Sequence, residues 1–163
     1  MTVRSLDPTA DRGLVSAVLA EAQDYYLLWK GRAPGPEETD GFFTDCPPGC
    51  DPAASCRLGL FDEGRLAGVA ELSFGFPAPQ DAYLGLMILA PWARGRGLGA
   101  GFLAHIEGLA RSAGSSVLYL AVLEANPRGR AFWERSGFAA TGLSRTDDSH
   151  ARPHRIHRLA KPL

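Results

Sequence analysis

Between Pro91 and Ala100 the chain reads Pro-Trp-Ala-Arg-Gly-Arg-Gly-Leu-Gly-Ala, a turn dominated by three glycines and two arginines. A nearly continuous apolar run precedes it and apolar residues at helical spacing follow it, so the turn is expected to join a buried strand to a helix N-terminus. The first turn of a helix leaves backbone N–H groups unpaired and aligned with the positive end of the peptide dipoles, and glycine lets an anion approach without a Cβ in the way. Phosphate binding is the chemistry this suits, with Arg94 and Arg96 able to add charge-assisted hydrogen bonds. A P-loop needs a Lys and then a Ser or Thr after its last glycine, and Leu98-Gly99-Ala100 supplies neither. Gly95, Gly97 and Ala100 do satisfy a dinucleotide fingerprint, with Glu124 where a ribose-binding acid would sit. That motif normally opens the first crossover of a sheet built from several, and here strands read as antiparallel precede it and too little chain follows.

Hydrophobic period and turn residues set the elements around the turn. Val3 to Leu6 is predicted as a strand. Asp11 then opens a helix with Leu14, Val15, Val18, Leu19 and Ala22 on one face, running through Tyr25, Tyr26, Leu28 and Trp29 until Gly31, Pro34, Gly35 and Pro36 break it. Pro36 with Glu37 and Glu38 suits the start of a further short helix, and Cys46 to Pro52 reads as a loop. Ser55 to Phe61 and Leu66 to Phe74 are predicted as antiparallel strands joined by a hairpin at Asp62-Glu63-Gly64. After the loop Phe76 to Gln80, Tyr83 to Leu89 is expected to be a strand buried on both faces. The helix from about Gly97 carries Phe102, Leu103, Ile106, Leu109 and Ala110 on one side and stops at Gly114. Val117 to Val122 is the next strand, which makes a right-handed parallel crossover. Asn126 and Pro127 cap and begin a short helix through Arg135. Phe138 to Leu143 and Arg155 to Ala160 are strands separated by a polar loop, Ser144 to Pro153. The expectation is one domain over residues 1–163 of the α/β class: a mixed, mostly antiparallel sheet of about seven strands, one central parallel crossover and about four helices.

Two motifs at this spacing resemble the GNAT superfamily of N-acetyltransferases. Its first signature is Arg or Gln, two residues, Gly, one residue, then Gly or Ala, and Arg94, Gly97 and Gly99 occupy those places. Its second is an Asn after the next strand and a short helix ending in an aromatic, acid, base and Gly-Phe, matched by Asn126 and then Phe132-Trp133-Glu134-Arg135-Ser136-Gly137-Phe138. The resemblance implies an acetyl-CoA-dependent acyltransferase that moves an acetyl group to a primary amine of a small molecule or a peptide. It implies that the turn of Arg94, Gly95, Arg96, Gly97, Leu98, Gly99 and Ala100 holds the pyrophosphate. It further implies that the backbone of Met87, Ile88 and Leu89 pairs with the pantetheine arm where the Tyr83–Leu89 strand splays from its parallel neighbour, and that Asn126 touches the same arm. Unpaired strand N–H and C=O groups at such a splay suit an amide-bearing ligand. Asn126 reads equally as a plain helix cap.

Many family members use a Tyr in the short helix to protonate the leaving thiolate, and the aligned residue here is Trp133, whose indole N–H donates a hydrogen bond but does not give up its proton at useful pH. Trp133 is either a core aromatic or a wall of the pantetheine channel. A non-catalytic module that binds or senses acyl-CoA therefore stands beside the enzyme reading. Candidates for the base are Asp81 or Tyr83, with Glu71 and Glu124 behind them; Asp81 also reads as a turn residue after Pro79 and Tyr83 as a half-buried strand aromatic. The resemblance puts the acceptor over Tyr25, Tyr26 and Trp29 and the loop to Gly49, an aromatic cluster suited to a cation or an aromatic amine, although Tyr25 also falls on the core face of its helix.

The remaining composition excludes more than it assigns. Acids and bases are nearly balanced, 18 against 17, with 45% hydrophobic residues, as in a globular protein with no general pull toward nucleic acid or an anionic membrane. The basic run Arg152, His154, Arg155, His157, Arg158 alternates with Ile156 and Leu159, which reads as a strand with one solvated face. Asp7, Pro8 and Asp11 interrupt any secretory core at the N-terminus, and no stretch approaches the ~20 apolar residues of a membrane span, so a cytoplasmic location is expected. Cys46, Cys50 and Cys56 match no common zinc spacing and read as reduced thiols; no metal is expected. Pairing of the C-terminal strands or of exposed helix faces would give a homodimer.

Overall fold

The computed structural model describes residues 1–163. Thr2–Ser5 forms β1, Arg12–Glu21 and Gln23–Lys30 form α1 and α2, and Pro36–Thr44 forms α3. Cys56–Asp62 and Arg65–Phe74 are β2 and β3, Ala82–Leu89 is β4, Leu98–Ser112 is α4 and Val117–Leu123 is β5. Pro127–Arg135 is α5, and Ala139–Asp147 and His154–Pro162 are β6 and β7. One seven-stranded sheet runs in the order β1-β2-β3-β4-β5-β7-β6. Every neighbouring pair is antiparallel except β4 and β5, which α4 joins as the single parallel crossover.

Three local differences from the sequence reading have physical causes. The long first helix is two: the chain turns at Ala22 (φ −91°, ψ 26°), with no Gly or Pro to mark it. Ala22 is fully buried, and the turn lets α1 set Val15, Val18 and Leu19 on the sheet while α2 carries Tyr26 inward on its own path. Packing overrides local helix propensity there, so the chain has five α-helices rather than four. Second, β6 continues through Asp147, because β7 offers a ladder to Ser144, Arg145, Thr146 and Asp147 that polar residues fill as readily as apolar ones at an exposed edge. Third, β4 is not covered on both faces: Gly85 is exposed and Leu86 and Met87 are half-buried.

The hairpin between β2 and β3 turns on Glu63 (φ 50°) and Gly64 (φ 80°), a two-residue left-handed turn whose twist matches the strands it joins. Alternation along the strands then sorts the sheet into two cores. Leu58, Leu60, Leu72, Leu84, Leu118 and Leu120 meet Phe102, Leu103 and Ile106 of α4 on one face. Val69 and Ile88, paired across β3 and β4, meet Val15, Val18 and Leu19 of α1 on the other. No helix is long and apolar enough to cross a membrane.

Phe102, with no exposed surface, is the largest fully buried side chain under α4. Phe102→Ala is expected to destabilise the fold by about 3–5 kcal/mol in urea titration, through lost transfer energy and the cavity left behind.

Candidate functional site

The β3–β4 ladder pairs Glu71 with Leu86 and Leu72 with Leu84, so Gly85 is one residue more than β3 can match: a β-bulge. A bulge bends its strand and sharpens the local twist. On the other side of β4, pairing with β5 covers Ala82, Tyr83 and Leu84 and ends there. From Gly85 to Leu89 β5 offers no partner to the backbone of β4, and the two parallel strands separate; the Leu89 carbonyl accepts from Arg94 instead. Two clefts meet at this point, sharing Gly85 and Leu86 in their walls.

The larger cleft, about 760 Å³, lies between the parting strands and is closed by Leu120 to Leu123 and by α5. Met87, Ile88, Leu89, Arg94, Gly95, Gly97, Gly99, Ala100, Asn126 and Trp133 all line it; Arg96 and Leu98 do not. Gly95 (φ 71°) and Gly97 (φ 78°) hold left-handed backbone, and a Cβ at either meets nothing within 4 Å, so the cradle is open. No acceptor in the protein engages the N–H groups of Gly95 to Ala100. Six consecutive bare amides at the head of a 15-residue helix suit a phosphate group, and the free edge of β4 suits the amides of a pantetheine arm. The residues present therefore fit coenzyme A.

The two arginines of the turn are engaged within the fold. The Arg94 guanidinium forks onto Asp24 at 2.6 and 2.9 Å while its Nε donates to the Leu89 carbonyl at 3.0 Å, tying the start of α2 to the end of β4. This pairing lowers the Asp24 carboxyl below its usual range. Arg96 pairs with Asp62 at 2.9 Å, anchoring the turn to the β2 end of the hairpin. Asn126 caps α5, its Oδ1 accepting the Gly129 N–H at 3.0 Å, and still presents surface to the cleft. Trp133 is half-buried in edge contact with Phe132 and Phe138, part of the core beneath and of the wall above.

The second cleft, about 550 Å³, opens on the face that α1, α2 and α3 partly cover. Tyr26 and Trp29 line it, whereas Tyr25 lines the larger one, so the aromatic cluster is divided between the two. Burial pushes the Tyr25 phenol up to about 12, and the neighbouring Tyr83 adds to the shift, so Tyr25 holds its proton at neutral pH. Trp29 Nε1 donates to Asp147 at 3.3 Å and its ring meets His150 edge-on. Tyr83 lines the second cleft in edge contact with Phe76, its phenol also raised, chiefly by burial. Asp81 faces neither cleft: its carboxylate accepts the Ala78 N–H at 3.1 Å and closes the Phe76–Gln80 loop, the turn role. No group of three or more His, Cys, Asp or Glu side chains is gathered to hold a metal ion.

Of the acids that line this cleft, Glu71 is the one set against Gly85, where the two clefts meet. It is 5% exposed, accepts a short hydrogen bond from Ser73 Oγ, and lies 4.0 Å from Arg57 Nη1. A Cβ on Gly85 would stand 2.1 Å from Glu71 Oε2, so the bulge brings bare backbone against the carboxylate. Desolvation raises the Glu71 pKa above the ordinary carboxylate value, with Ser73, Arg57 and the Gly85 N–H opposing it. By sequence alone Glu71 stands behind Asp81 and Tyr83 as a candidate base, and Gly85 is a single glycine in an apolar strand. An isolated glycine in a strand is the available signal for a bulge or a close approach.

The Acetyltransferase (GNAT) family model matches residues 14–138. In fold, the whole chain is similar to an acetyltransferase from Thermus thermophilus, with a TM-score of 0.75 and 24% identity over 98% of that chain. It is similar at TM-score 0.77 and 21% identity to a ribosomal-protein-alanine N-acetyltransferase from Brucella melitensis, over 100% of both chains. A ribosomal-protein-S18-alanine N-acetyltransferase from Escherichia coli gives 0.71 and 18%, covering 99% of this chain and 92% of that one. No curated protein matches the sequence. The family match runs from within α1, through the bulge and the glycine turn, to Phe138 at the end of the second motif, and the chain belongs to the GNAT family of acetyltransferases.

Proposed function

We propose that this chain is an N-acetyltransferase that transfers an acetyl group from acetyl-CoA to a primary amine of a small molecule or a protein. The observation that carries the reading is the row of unengaged amides from Gly95 to Ala100, opening directly into the cleft where β4 leaves β5. The second cleft, meeting the first at Gly85 and Leu86, supplies room for the acceptor. Acetyl-CoA, when bound, would supply the thioester: the acceptor ammonium gives up one proton, a bond forms from the neutral nitrogen to the carbonyl carbon, the carbon–sulfur bond breaks, a second proton leaves nitrogen, and of the two protons one reaches sulfur and the other solvent.

The chain's own residues divide these proton movements between the clefts. Glu71, ionised and oriented by Ser73, takes the proton from the acceptor ammonium so that a neutral amine attacks. Tyr25 is the one side chain in the larger cleft with a neutral, ionisable O–H, because Asp24 there is committed to Arg94. Its phenol donates to the departing sulfur, a part that the Trp133 indole does not play. Free β4 N–H groups beyond Gly85 polarise the carbonyl as fixed donors do in an oxyanion hole.

Isothermal calorimetry with acetyl-CoA, followed by thiol release over a panel of primary amines, tests the whole reading. Binding with turnover supports it, binding without turnover makes the chain an acyl-CoA-binding module, and no binding removes both. Gly97→Val puts a β-branched side chain on left-handed backbone in the cradle, and acetyl-CoA affinity is expected to fall by about tenfold or more. Wild-type kcat/KM is expected to fall as pH drops through the raised Glu71 pKa, since the protonated carboxyl accepts nothing. Glu71→Gln should lower kcat by about 100-fold and flatten that acid limb, and Gly85→Ala should lower kcat by displacing the carboxylate; an unchanged acid limb in Glu71→Gln assigns the base elsewhere. Tyr25→Phe is expected to lower kcat by about 100-fold and to weaken acetyl-CoA binding far less. Equal losses in both would make Tyr25 a wall rather than a donor.

A further inference from the structure

Arg145 of β6 and Arg158 of β7 both line the second cleft. Their strands are antiparallel neighbours: Arg145 pairs with Ile156, which shares a face with Arg158 two residues on, so both guanidinium groups rise from the same side of the sheet. Of the helices only α2 reaches that half of the face, where Trp29 meets Asp147. Arg158 stacks over Phe76, 5.1 Å from guanidinium carbon to ring centroid, and Phe76 in turn meets the Tyr83 ring at 5.2 Å. Both arginines act electrostatically on the Tyr83 phenol, as does Glu71, so these groups gather at one end of one cavity.

Neither arginine has a carboxylate within ion-pair distance, and in the second cleft neither fork is committed to a protein acceptor. The cleft's acids are answered differently. Glu38 is held by Lys30 at 3.3 Å and Arg32 at 2.9 Å, Glu37 lies 3.8 Å from Arg32, and Glu71 has Ser73 and Arg57. Only Asp45, on the exposed rim at the end of α3, lacks a cation. A third guanidinium adds an independent sign: Arg57, 8% exposed and also in the wall, donates Nη1 to the Phe42 carbonyl at 2.6 Å but leaves Nε and Nη2 buried without a partner. Buried donors without acceptors are costly and usually mark a missing partner. The cleft wall therefore holds more cationic donors than the protein satisfies, and for Arg145 and Arg158, which face the opening, the partner that suits them is an oxyanion.

We propose that the acceptor is a small amine that also carries an oxyanion, a carboxylate or a phosphorus oxyacid, with the anion seated on Arg145 and Arg158 and the amine directed toward Glu71 and Gly85. This rests on the acetyl-transfer reading for its chemistry and on the arginines alone for its specificity. Arginine presents a rigid fork to such groups, and stacking on Phe76 holds one fork in place before the ligand arrives.

The test is a matched set of acceptors of one chain length: an alkylamine, an ω-amino carboxylate, an ω-amino phosphonate and a diamine. Each is assayed for thiol release with acetyl-CoA and, separately, for binding to the CoA-loaded protein by calorimetry. The anionic amines are expected to exceed the alkylamine in kcat/KM, or in affinity, by about tenfold or more at low salt, and the carboxylate and phosphonate arms identify which oxyanion is preferred. In Arg158→Gln and Arg145→Gln that preference should shrink through KM, while Arg158→Lys, which keeps the charge but loses the fork and its stacking on Phe76, should retain only part of it. A wild type that favours the alkylamine or the diamine, or variants whose preference is unmoved, overturns the proposal and leaves acetyl transfer standing. Anionic amines that bind through the arginines without turnover keep the proposal and refute the transfer reading; anionic amines that neither bind nor react refute the proposal.

Discussion

One unmatched residue between β3 and β4 governs the arrangement of both clefts. Gly85 has no partner on β3, so β4 bends at that point and its pairing with β5 stops one residue earlier, at Leu84. The bend opens a gap between two parallel strands that would otherwise be zipped to their ends. It also turns the same stretch of backbone into a common wall for two clefts on opposite sides of the strand. A side chain at the bulge would collide with Glu71, so the glycine sets both the strand's path and the carboxylate's place. The acid, the free amides of β4 and the meeting of the clefts are thus consequences of a single register fault rather than separately built features.

In the glycine turn, charge and backbone take separate parts. Arg94 and Arg96 stand beside the cradle, yet their guanidinium groups are spent on Asp24 and Asp62. Those pairs fix the turn to α2 on one side and to the β2–β3 hairpin on the other. What the turn leaves unengaged toward the larger cleft is backbone: consecutive N–H groups at the positive end of α4, preorganised to meet an anion. Two surface ion pairs are worth little as stability; their value here lies in holding that geometry still.

Much of this was legible from residue pattern alone, and the part that was not has a common character. Strand and helix order, the crossover, the hairpin at Glu63 and Gly64 and the helix begun by Asn126 and Pro127 all follow from local signals: period, caps and turn residues. The break at Ala22 was not legible, because an alanine between good helix formers carries no local instruction to stop; the sheet beneath it decides. Nor was the demotion of Asp81 to a loop-closing residue, since a carboxylate after a proline loop looks the same whether it faces a cavity or its own backbone. Gly85 did carry a signal, an isolated glycine in an apolar strand, but the run of Leu and Ile around it reads as burial and conceals the bulge. Trp133 illustrates a further limit: its place in the motif is plain, while its double part as core and wall emerges only when Phe132 and Phe138 are seen against it.

Arg158 belongs to the same class of facts that only three dimensions supply. In sequence it is one of five basic residues in a strand-like run, most simply a solvated face. In the fold that face splits. His154 is buried, His157 reaches Glu124 at 3.1 Å, Arg155 donates to Ser144, and Arg158 alone is turned over Phe76 into a cavity. Its companion Arg145 comes from a different strand and is brought alongside by the β6–β7 ladder. Over this face of β5 to β6 only the end of α2 reaches, at Trp29, which leaves Arg145 exposed and Arg158 half-buried, whereas α1, α2 and α3 shield the half that holds Glu71. On the proposed reading, a cavity that sets Glu71 in its shielded part and the Arg145 and Arg158 guanidinium groups in its open part would orient a dipolar ligand before any contact is specific, its amine toward the carboxylate and its anion at the mouth.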